Sequence, residues 1–412
     1  MNDSLRVALI ASSRFAVSQP FAGGLEAHVW HLARALAKLG HRVSLFAAAG
    51  SDGDLDCRTL AVRPLGISRI ARADVSMPAE GFMADHHAYL TLMLRLAESG
   101  RDDFDIVHNH SLHYLPVAMA PMLSIPMLTT VHTPPTPWLE SAIDASAGVG
   151  TQFAAVSEHT ARSWSQSISR ITVIPNGIDT RRWPLGPGGG PLVWFGRITA
   201  EKAPHLAISA ARRAGKPLVL AGPISDTEYF ATEVAPRLGA DVRYAGHLDQ
   251  DQLARVVGAA EAALVTPVWD EPYGLVVAEA MCCGTPVVAF ARGGIPELVG
   301  PESGRLVAGE DVGEMADAIP AAVGLRRSGV REYAIGRCSL EAMLGAYLDV
   351  YRRMVDNPSE AKHDRLLRPS SRFWSLGAGG EHLPSPSPTG DGADFAECRC
   401  ATPVHGGGEL TA

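Results

Sequence analysis

Two cations and two carboxylates in the second half of the chain could together hold a phosphorylated sugar. Phe195-Gly196-Arg197 reads as a strand that ends in glycine and a cation, with Glu201-Lys202 close behind. Arg197 and Lys202 therefore sit on a strand-to-helix turn, where an anion can also meet the free amides of a helix start. Trp269-Asp270-Glu271-Pro272-Tyr273-Gly274-Leu275 leads into a second helix that runs through Glu279. Pro272 cannot lie inside a helix, so Glu271 belongs to the loop and the helix begins near Tyr273 or Gly274. Gly274 lets a ligand approach the first-turn amides, that of Leu275 among them. Glu279 then lies about five residues in, roughly 8 Å along the axis at about 1.5 Å per residue. One carboxylate before an anion-binding helix start and one after it suit a sugar nucleotide, with its diphosphate between sugar and ribose hydroxyls. Taken singly, each cation reads equally well as a solvated surface charge, and each glutamate as a cap or an ordinary helix residue.

The first half carries a glycine turn and several histidines. Ala22-Gly23-Gly24-Leu25-Glu26-Ala27-His28 follows the first strand and opens a helix, so its glycines admit a phosphate to the backbone. The turn lacks the Gly-x-Gly-x-x-Gly fingerprint, which removes support for a nicotinamide cofactor. His132 ends a strand in Thr130-Val131-His132-Thr133-Pro134-Pro135, where proline turns the chain. His108 and His110 share a face if their strand persists, a conceivable metal pair. No third ligand stands near them in sequence and zinc needs at least three, so no metal site is assigned. His28 and His31, at i and i+3, read as a partly exposed helix face. Ser157 reads as the cap of a helix opening at Glu158, whose charge suits the first turn on dipole grounds. Asp52-Gly53-Asp54-Leu55-Asp56 resembles a calcium loop only in part, with Cys57 at the required glycine and Arg63 at the closing glutamate.

The elements that must position these residues alternate along the chain. Strands are predicted at 5–11, 42–46, 105–108, 127–131, 153–156 and 171–174, with helices such as 24–39, 83–97 and 158–167 between them. The pattern breaks at 179–190, which ends in Gly186-Pro187-Gly188-Gly189-Gly190 and reads as an interdomain linker. It then restarts, with strands at 191–195, 217–220, 242–244, 262–265 and 286–289. Such alternation predicts an α/β architecture of two parallel, Rossmann-like sheets covered on both faces. Ligands of such sheets bind beyond the strand C-termini, here in a cleft between the halves. The domains expected are 1–182 and 190–338, with a last helix, 340–355, packing back on the first domain. That helix carries Tyr347 and Tyr351 on one face. After Asn357 the composition changes, from about Pro369 it is rich in Gly, Pro, Ser and Thr, as in Pro384-Ser385-Pro386-Ser387-Pro388, and disorder is expected over 358–412.

Composition narrows the function class. The chain has 412 residues, too many for one ordinary core. Its net charge of −8 argues against a nucleic-acid partner, which a basic surface would recognise. Six cysteines, with Cys282 and Cys283 adjacent and Cys398-Arg-Cys400 lacking a zinc-knuckle spacer, make no disulfide framework, and a cytoplasmic setting is expected. The run Val7-Ala8-Leu9-Ile10-Ala11 is too short for a signal-peptide core and reads as the first strand. Nothing approaches the roughly 18 apolar residues of a spanning helix, while peripheral membrane contact stays open.

Together the pieces resemble a known family. Glu271-Pro-Tyr-Gly-Leu-Val-Val-Ala-Glu279 is similar to the Glu-x7-Glu signature of retaining glycosyltransferases of the GT-B fold, family 4 of that classification. Gly196-Arg197 with Lys202, Gly284-Thr285-Pro286-Val287-Val288-Ala289, Gly293-Gly294-Ile295-Pro296-Glu297 and Pro175-Asn176-Gly177-Ile178-Asp179 match in order, from about Arg6 to Met354. The resemblance implies transfer of a sugar from a nucleotide-sugar donor to an acceptor hydroxyl with retention of configuration; the family's habits favour a UDP-sugar such as UDP-glucose, with GDP-mannose and ADP-glucose left open. It implies that Gly24, and less directly Gly23, contact the donor diphosphate, and that His132 positions the donor sugar. Arg197 and Lys202 would neutralise the diphosphate without a metal, and Glu271 and Glu279 would grip sugar and ribose. The turn Ala245-Gly246-His247-Leu248 would meet the base, and loops such as 67–83 the unknown acceptor, whether small molecule, lipid-linked sugar or glycan. No cofactor beyond the nucleotide-sugar is expected. A nucleotide-sugar 2-epimerase or a non-catalytic binder could share this architecture.

Overall fold

In a computed structural model of the chain, residues 4–357 are described. The 358–412 segment, expected to be disordered, lies outside them. Among the described residues, seven parallel strands form the first sheet: β1 (Arg6–Ile10), β2 (Arg42–Phe46), β3 (Arg58–Thr59), β4 (Ile106–Asn109), β5 (Met127–Val131), β6 (Thr151–Ala155) and β7 (Ile171–Val173). Six more form the second: β8 (Leu192–Phe195), β9 (Leu218–Ala221), β10 (Val242–Tyr244), β11 (Ala263–Val265), β12 (Val287–Phe290) and β13 (Gly304–Val307). β1, β8, β9, β11 and β12 are almost wholly apolar, and they, β4 and β5 are buried on both faces, as a parallel sheet under two helix layers requires. The predicted strands recur within two residues at either end. β3 and β13 are additional.

The strand orders are 3-2-1-4-5-6-7 and 10-9-8-11-12-13. Each sheet therefore reverses its winding once, between β1 and β4 in the first and between β8 and β11 in the second. Loops at such a switch point splay to opposite faces and leave a crevice beyond the strand C-termini. The glycine turn and the histidine strand flank the first crevice. Arg197 and the Trp269–Gly274 loop flank the second.

The chain passes between the halves twice, and the two passages lie side by side. Ile178 N donates to Cys338 O (2.7 Å) and Leu340 N to Ile178 O (3.1 Å). Helix Leu340–Asp356 then packs on the first sheet, burying Leu344, Tyr347, Leu348, Tyr351 and Met354 against Val7, Leu9, Leu32 and Leu36. Its i, i+4 tyrosines face inward because both hydroxyls find buried partners: Tyr351 Oη lies 2.6 Å from His108 Nδ1, and Tyr347 Oη 3.3 Å from Thr130 Oγ1.

The glycine-rich segment before β8 forms no regular element, yet it is not a free tether. Gly186 N donates to Cys283 O, Gly188 N to Gly258 O and Gly190 N to Ala259 O, and Trp183 is fully buried in the second core. Arg327 binds the segment down. Its guanidinium donates to the carbonyls of Gly186, Ala260, Gly258 and Cys283 and to Thr285 Oγ1, at 2.8–3.2 Å. Among the described residues, no helix is long and apolar enough to cross a membrane.

Candidate active site

The second-domain site is organised around one helix start. Gly274 caps helix Leu275–Cys282 at φ +100°, a left-handed conformation that a side chain would strain. The loop before it is clamped from below: Gly294 N donates to Glu271 O (2.7 Å), and a Cβ on Gly293 would lie 2.1 Å from that same oxygen. The Gly293-Gly294 pair therefore fixes where Glu271 stands. Glu271 meets Lys202 in a close ion pair, and Trp269 Nε1 donates to its Oε2 at 2.8 Å. Lys202 Nζ also lies 4.8 Å from the Trp269 ring centroid. Lys202 reaches this position from the short turn Ala200–Lys202 behind β8, with Thr266 Oγ1 donating to its carbonyl. Both side chains are mostly shielded from water, which strengthens the pair.

Arg197 is more open and rests loosely against Glu201, 3.4 Å away. What it faces is the first domain. A Cβ on Gly23 would come within 4.0 Å of the Arg197 stem, and one on Gly24 within 2.7 Å of Leu275 Cδ1. Gly24 begins helix Gly24–Lys38, so two helix N-termini approach head to head with Arg197 beside them. The positive ends of both helices and a guanidinium thus converge on one spot, an arrangement that suits an anion and little else. Glu26, in the first turn of that helix, is buried beside this spot. Burial pushes its carboxyl up, against the opposing pull of a backbone hydrogen bond and of Arg197. The sequence singles out Gly23 and Gly24 here but gives Glu26 no role, because an acidic residue in a first helical turn is commonplace.

Glu279 lies one turn further into its helix. Burial alone pushes its carboxyl up to about 8. Among the described residues no hydrogen bond reaches its carboxyl group, which leaves that group a free acceptor or donor. The linkage has a definite sign. Below about 4.5 the acid is protonated folded or unfolded, and between that value and about 8 the unfolded chain ionises first, so stability falls as pH rises. Glu279→Gln is expected to leave thermal stability unchanged near pH 4 and to gain about 1–2 kcal/mol at pH 8.5. Melting curves of both proteins at the two pH values check this; equal gains at both would mean that the charge is not the cause.

The histidines form one buried cluster. His110 Nε2 lies 3.1 Å from His108 Nδ1, His110 Nδ1 lies 3.0 Å from His132 Nε2, and the His28 ring sits 4.9 Å from that of His132. His28 and His31 are buried, not the partly exposed face expected, because their side of helix Gly24–Lys38 lies against the sheet and the second domain. Burial and neighbouring imidazoles hold His28 at about 3 and depress His108, His110 and His132 well below the ordinary range, so the cluster is neutral at pH 7. The pair weighed from sequence, His108 with His110, gains no third ligand; the fold instead groups His110 with His28 and His132, while His108 is engaged by Tyr351 and Thr130. Ligand nitrogens of His28, His110 and His132 lie within 4.8 Å of one another, and both His28 nitrogens are buried without a partner. These residues could hold a metal ion, although His110 and His132 already turn their facing nitrogens toward each other.

The remaining sequence candidates lie across the cleft. His247 Nε2 sits 3.1 Å from Phe21 O in the first domain, so its turn is engaged in an interdomain contact. Leu248 packs at the edge of the second core. Glu297 reaches over to accept from the amides of Glu158 and His159 (2.9 and 2.7 Å), capping the first-domain helix Glu158–Ser163 from outside. Ser157 and Thr160 hydroxyls donate to Pro272 O at 2.5 and 3.0 Å. The halves are thus held in a closed arrangement by polar contacts between the loops that build the site.

Comparison with known proteins bears on the family and the fold. Residues 22–182 match the family model described as Glycosyltransferase Family 4, and residues 190–323 match Glycosyl transferases group 1. The chain is 30% identical over 351 residues to the D-inositol 3-phosphate glycosyltransferase of Frankia alni, covering 72% of this chain and 85% of that protein. It is 29% identical over 376 residues to the glycogen synthase of Mycobacterium tuberculosis, covering 80% and 91%. In fold it is similar to AviGT4, a glycosyltransferase involved in avilamycin A biosynthesis, with a TM-score of 0.63, 24% identity and coverage of 85% and 98%. It is also similar to Anabaena HepE in complex with UDP and glucose, with a TM-score of 0.66, 18% identity and coverage of 84% and 99%.

Proposed function

The chain belongs to the family 4 glycosyltransferases of the GT-B fold, and from that premise we propose that it moves a hexosyl group from a nucleotide-sugar to an acceptor hydroxyl with retention of configuration. The observation that carries this reading is the convergence of two helix starts with Arg197, and with the Lys202–Glu271 pair nearby, on one cleft. Negative charge grows on the departing diphosphate as the sugar–phosphate bond breaks. Amides and cations fixed in advance at that position lower the barrier most. Four such elements suit a diphosphate without a bridging divalent ion, and we propose metal-independent transfer. His132 is neutral, so it positions the sugar through a hydrogen bond and does not supply charge. Glu271, spoken for by Lys202 and Trp269, holds a sugar hydroxyl and does not attack carbon. Glu279 takes the ribose hydroxyls. Departing phosphate oxygen then takes the acceptor proton on the same face.

A UDP-sugar, UDP-glucose first, is the donor we favour; the HepE complex with UDP and glucose supports it. We assign the reaction to the cytoplasm, where the free thiols of Cys57, Cys282, Cys283 and Cys338 stay reduced. Thermal shift against UDP, GDP, ADP and their sugars, followed by mass spectrometry with candidate acceptors, tests the proposal. Conversion of donor without any acceptor would identify a 2-epimerase instead. Donor binding with neither product would identify a binding protein, and loss of transfer in chelator would overturn metal independence.

The closed contact gives a further check. Gly24→Ala puts a methyl into Leu275, whose side chain can move at some cost, so kcat is expected to fall about tenfold with stability little changed. Adding Leu275→Ala, which keeps the first-turn amide, should restore most of the rate. Steady-state kinetics of the single and double variants read this out, and no recovery in the double would mean that the two do not meet during turnover.

A further inference from the structure

The first domain carries an open aromatic platform that the donor site leaves unused. Helix Glu80–Asp103 presents Phe82, His86 and Tyr89 at i, i+4 and i+7, one stripe facing the strand ends. Tyr114 follows β4 and Trp138 follows β5. Tyr114 and Trp138 stack at 24° with centroids 5.3 Å apart, and Phe82 leans on the same indole at 6.2 Å. The stack is pinned: His86 Nδ1 lies 2.7 Å from Tyr114 Oη, and His113 stacks on Tyr89 at 4.2 Å. Tyr89 Oη in turn accepts from Ser13 N and donates to Ala11 O, at the end of β1. The platform therefore rims the C-terminal edge of β1, β4 and β5, the same edge from which His110 and His132 project. Trp138 nevertheless remains 61% exposed, a large fixed indole left open to water.

We propose that Trp138 and Tyr114 form the acceptor subsite and that the acceptor presents a pyranose ring, a carbohydrate stacked through its C–H face on the indole. This rests on the glycosyltransferase reading above and names the acceptor class for that site. An aromatic face gives flat apolar contact at low conformational cost. Ring hydroxyls need polar neighbours, which His86, His113 and the Arg14–Asp85 ion pair supply at the rim. Arg14, the cation at this rim, is already paired with Asp85, which leaves it little pull on an anionic lipid surface.

Saturation-transfer NMR tests this with maltohexaose, cellohexaose and the α- and β-methyl glycosides of glucose, galactose and mannose. myo-Inositol and phosphatidylglycerol vesicles serve as non-pyranose controls, with UDP binding measured on the same samples. Wild type should bind at least one pyranoside through its ring protons. Trp138→Ala should weaken that binding about tenfold, and Trp138→Phe no more than about threefold, with UDP affinity unchanged in both. Equal binding by wild type and Trp138→Ala, no binding across the panel, or Trp138-dependent binding of vesicles alone would each overturn the platform while UDP binding left the donor reading standing. Pyranoside binding without any nucleotide binding would overturn the donor reading and leave the platform.

Discussion

Lys202→Ala is expected to lower kcat by about 10²–10³-fold, the cost of losing one preorganised group opposite a leaving oxyanion, or roughly 3 kcal/mol. Two effects add at this residue. A cation is lost where charge develops, and Glu271, mostly shielded from water, loses the partner that holds it in place. Glu271→Ala should cost a similar factor, and the double variant little more than either, because the two side chains act as one unit. Lys202→Arg should not rescue, since a planar fork cannot sit over the Trp269 ring and meet Glu271 as a point charge does. Rates for the four proteins at saturating donor decide it. Wild-type turnover by Lys202→Ala and Glu271→Ala would put the donor elsewhere.

Arg327→Met should cost about 3–5 kcal/mol of stability. The guanidinium serves five acceptors, four of them backbone carbonyls, that tie the glycine-rich segment to the helices and loops of the second domain. Methionine fills the volume but removes all five donations in a partly buried site, and only the Cys283 and Gly258 carbonyls keep an amide donor, from Gly186 and Gly188. Arg327→Lys should recover only a fraction, because one ammonium cannot span the fan of oxygens. Denaturant midpoints at unchanged slope measure the loss; a cost under about 1 kcal/mol for Arg327→Met would mean that the segment holds without it.

The fold was legible where side-chain chemistry and period coincide. Short β-branched and aliphatic runs such as Met127–Val131 and Val287–Phe290 read as buried parallel strands, and their spacing with helices points to two wound sheets. β3, two polar residues long, and β13, which begins with Gly304-Arg305, carry no such period and form because a neighbouring edge strand pairs with them. The Glu271–Glu279 spacing was legible because Pro272 and Gly274 fix where the helix can start. The state of Glu279 was not, because its raised carboxyl depends on what closes over it. His28 and His31 misled for a related reason: imidazole counts as polar in a periodicity, and only the packed sheet shows that it is buried. The glycine run before β8 reads as a tether because glycine carries no sign of what docks on its backbone, and that information sits 141 residues beyond Gly186, in Arg327.

The side-by-side passage at Ile178 and Ser339 also fixes the order in which the molecule can be made. Helix Leu340–Asp356 completes the core around β1, β4 and β5, so the first domain to be translated stays open on one face until nearly all of the described chain has left the ribosome. The second domain holds its own residues contiguously and can close while the first still waits. Nascent-chain folding would then run against chain order, with the N-terminal half finished last.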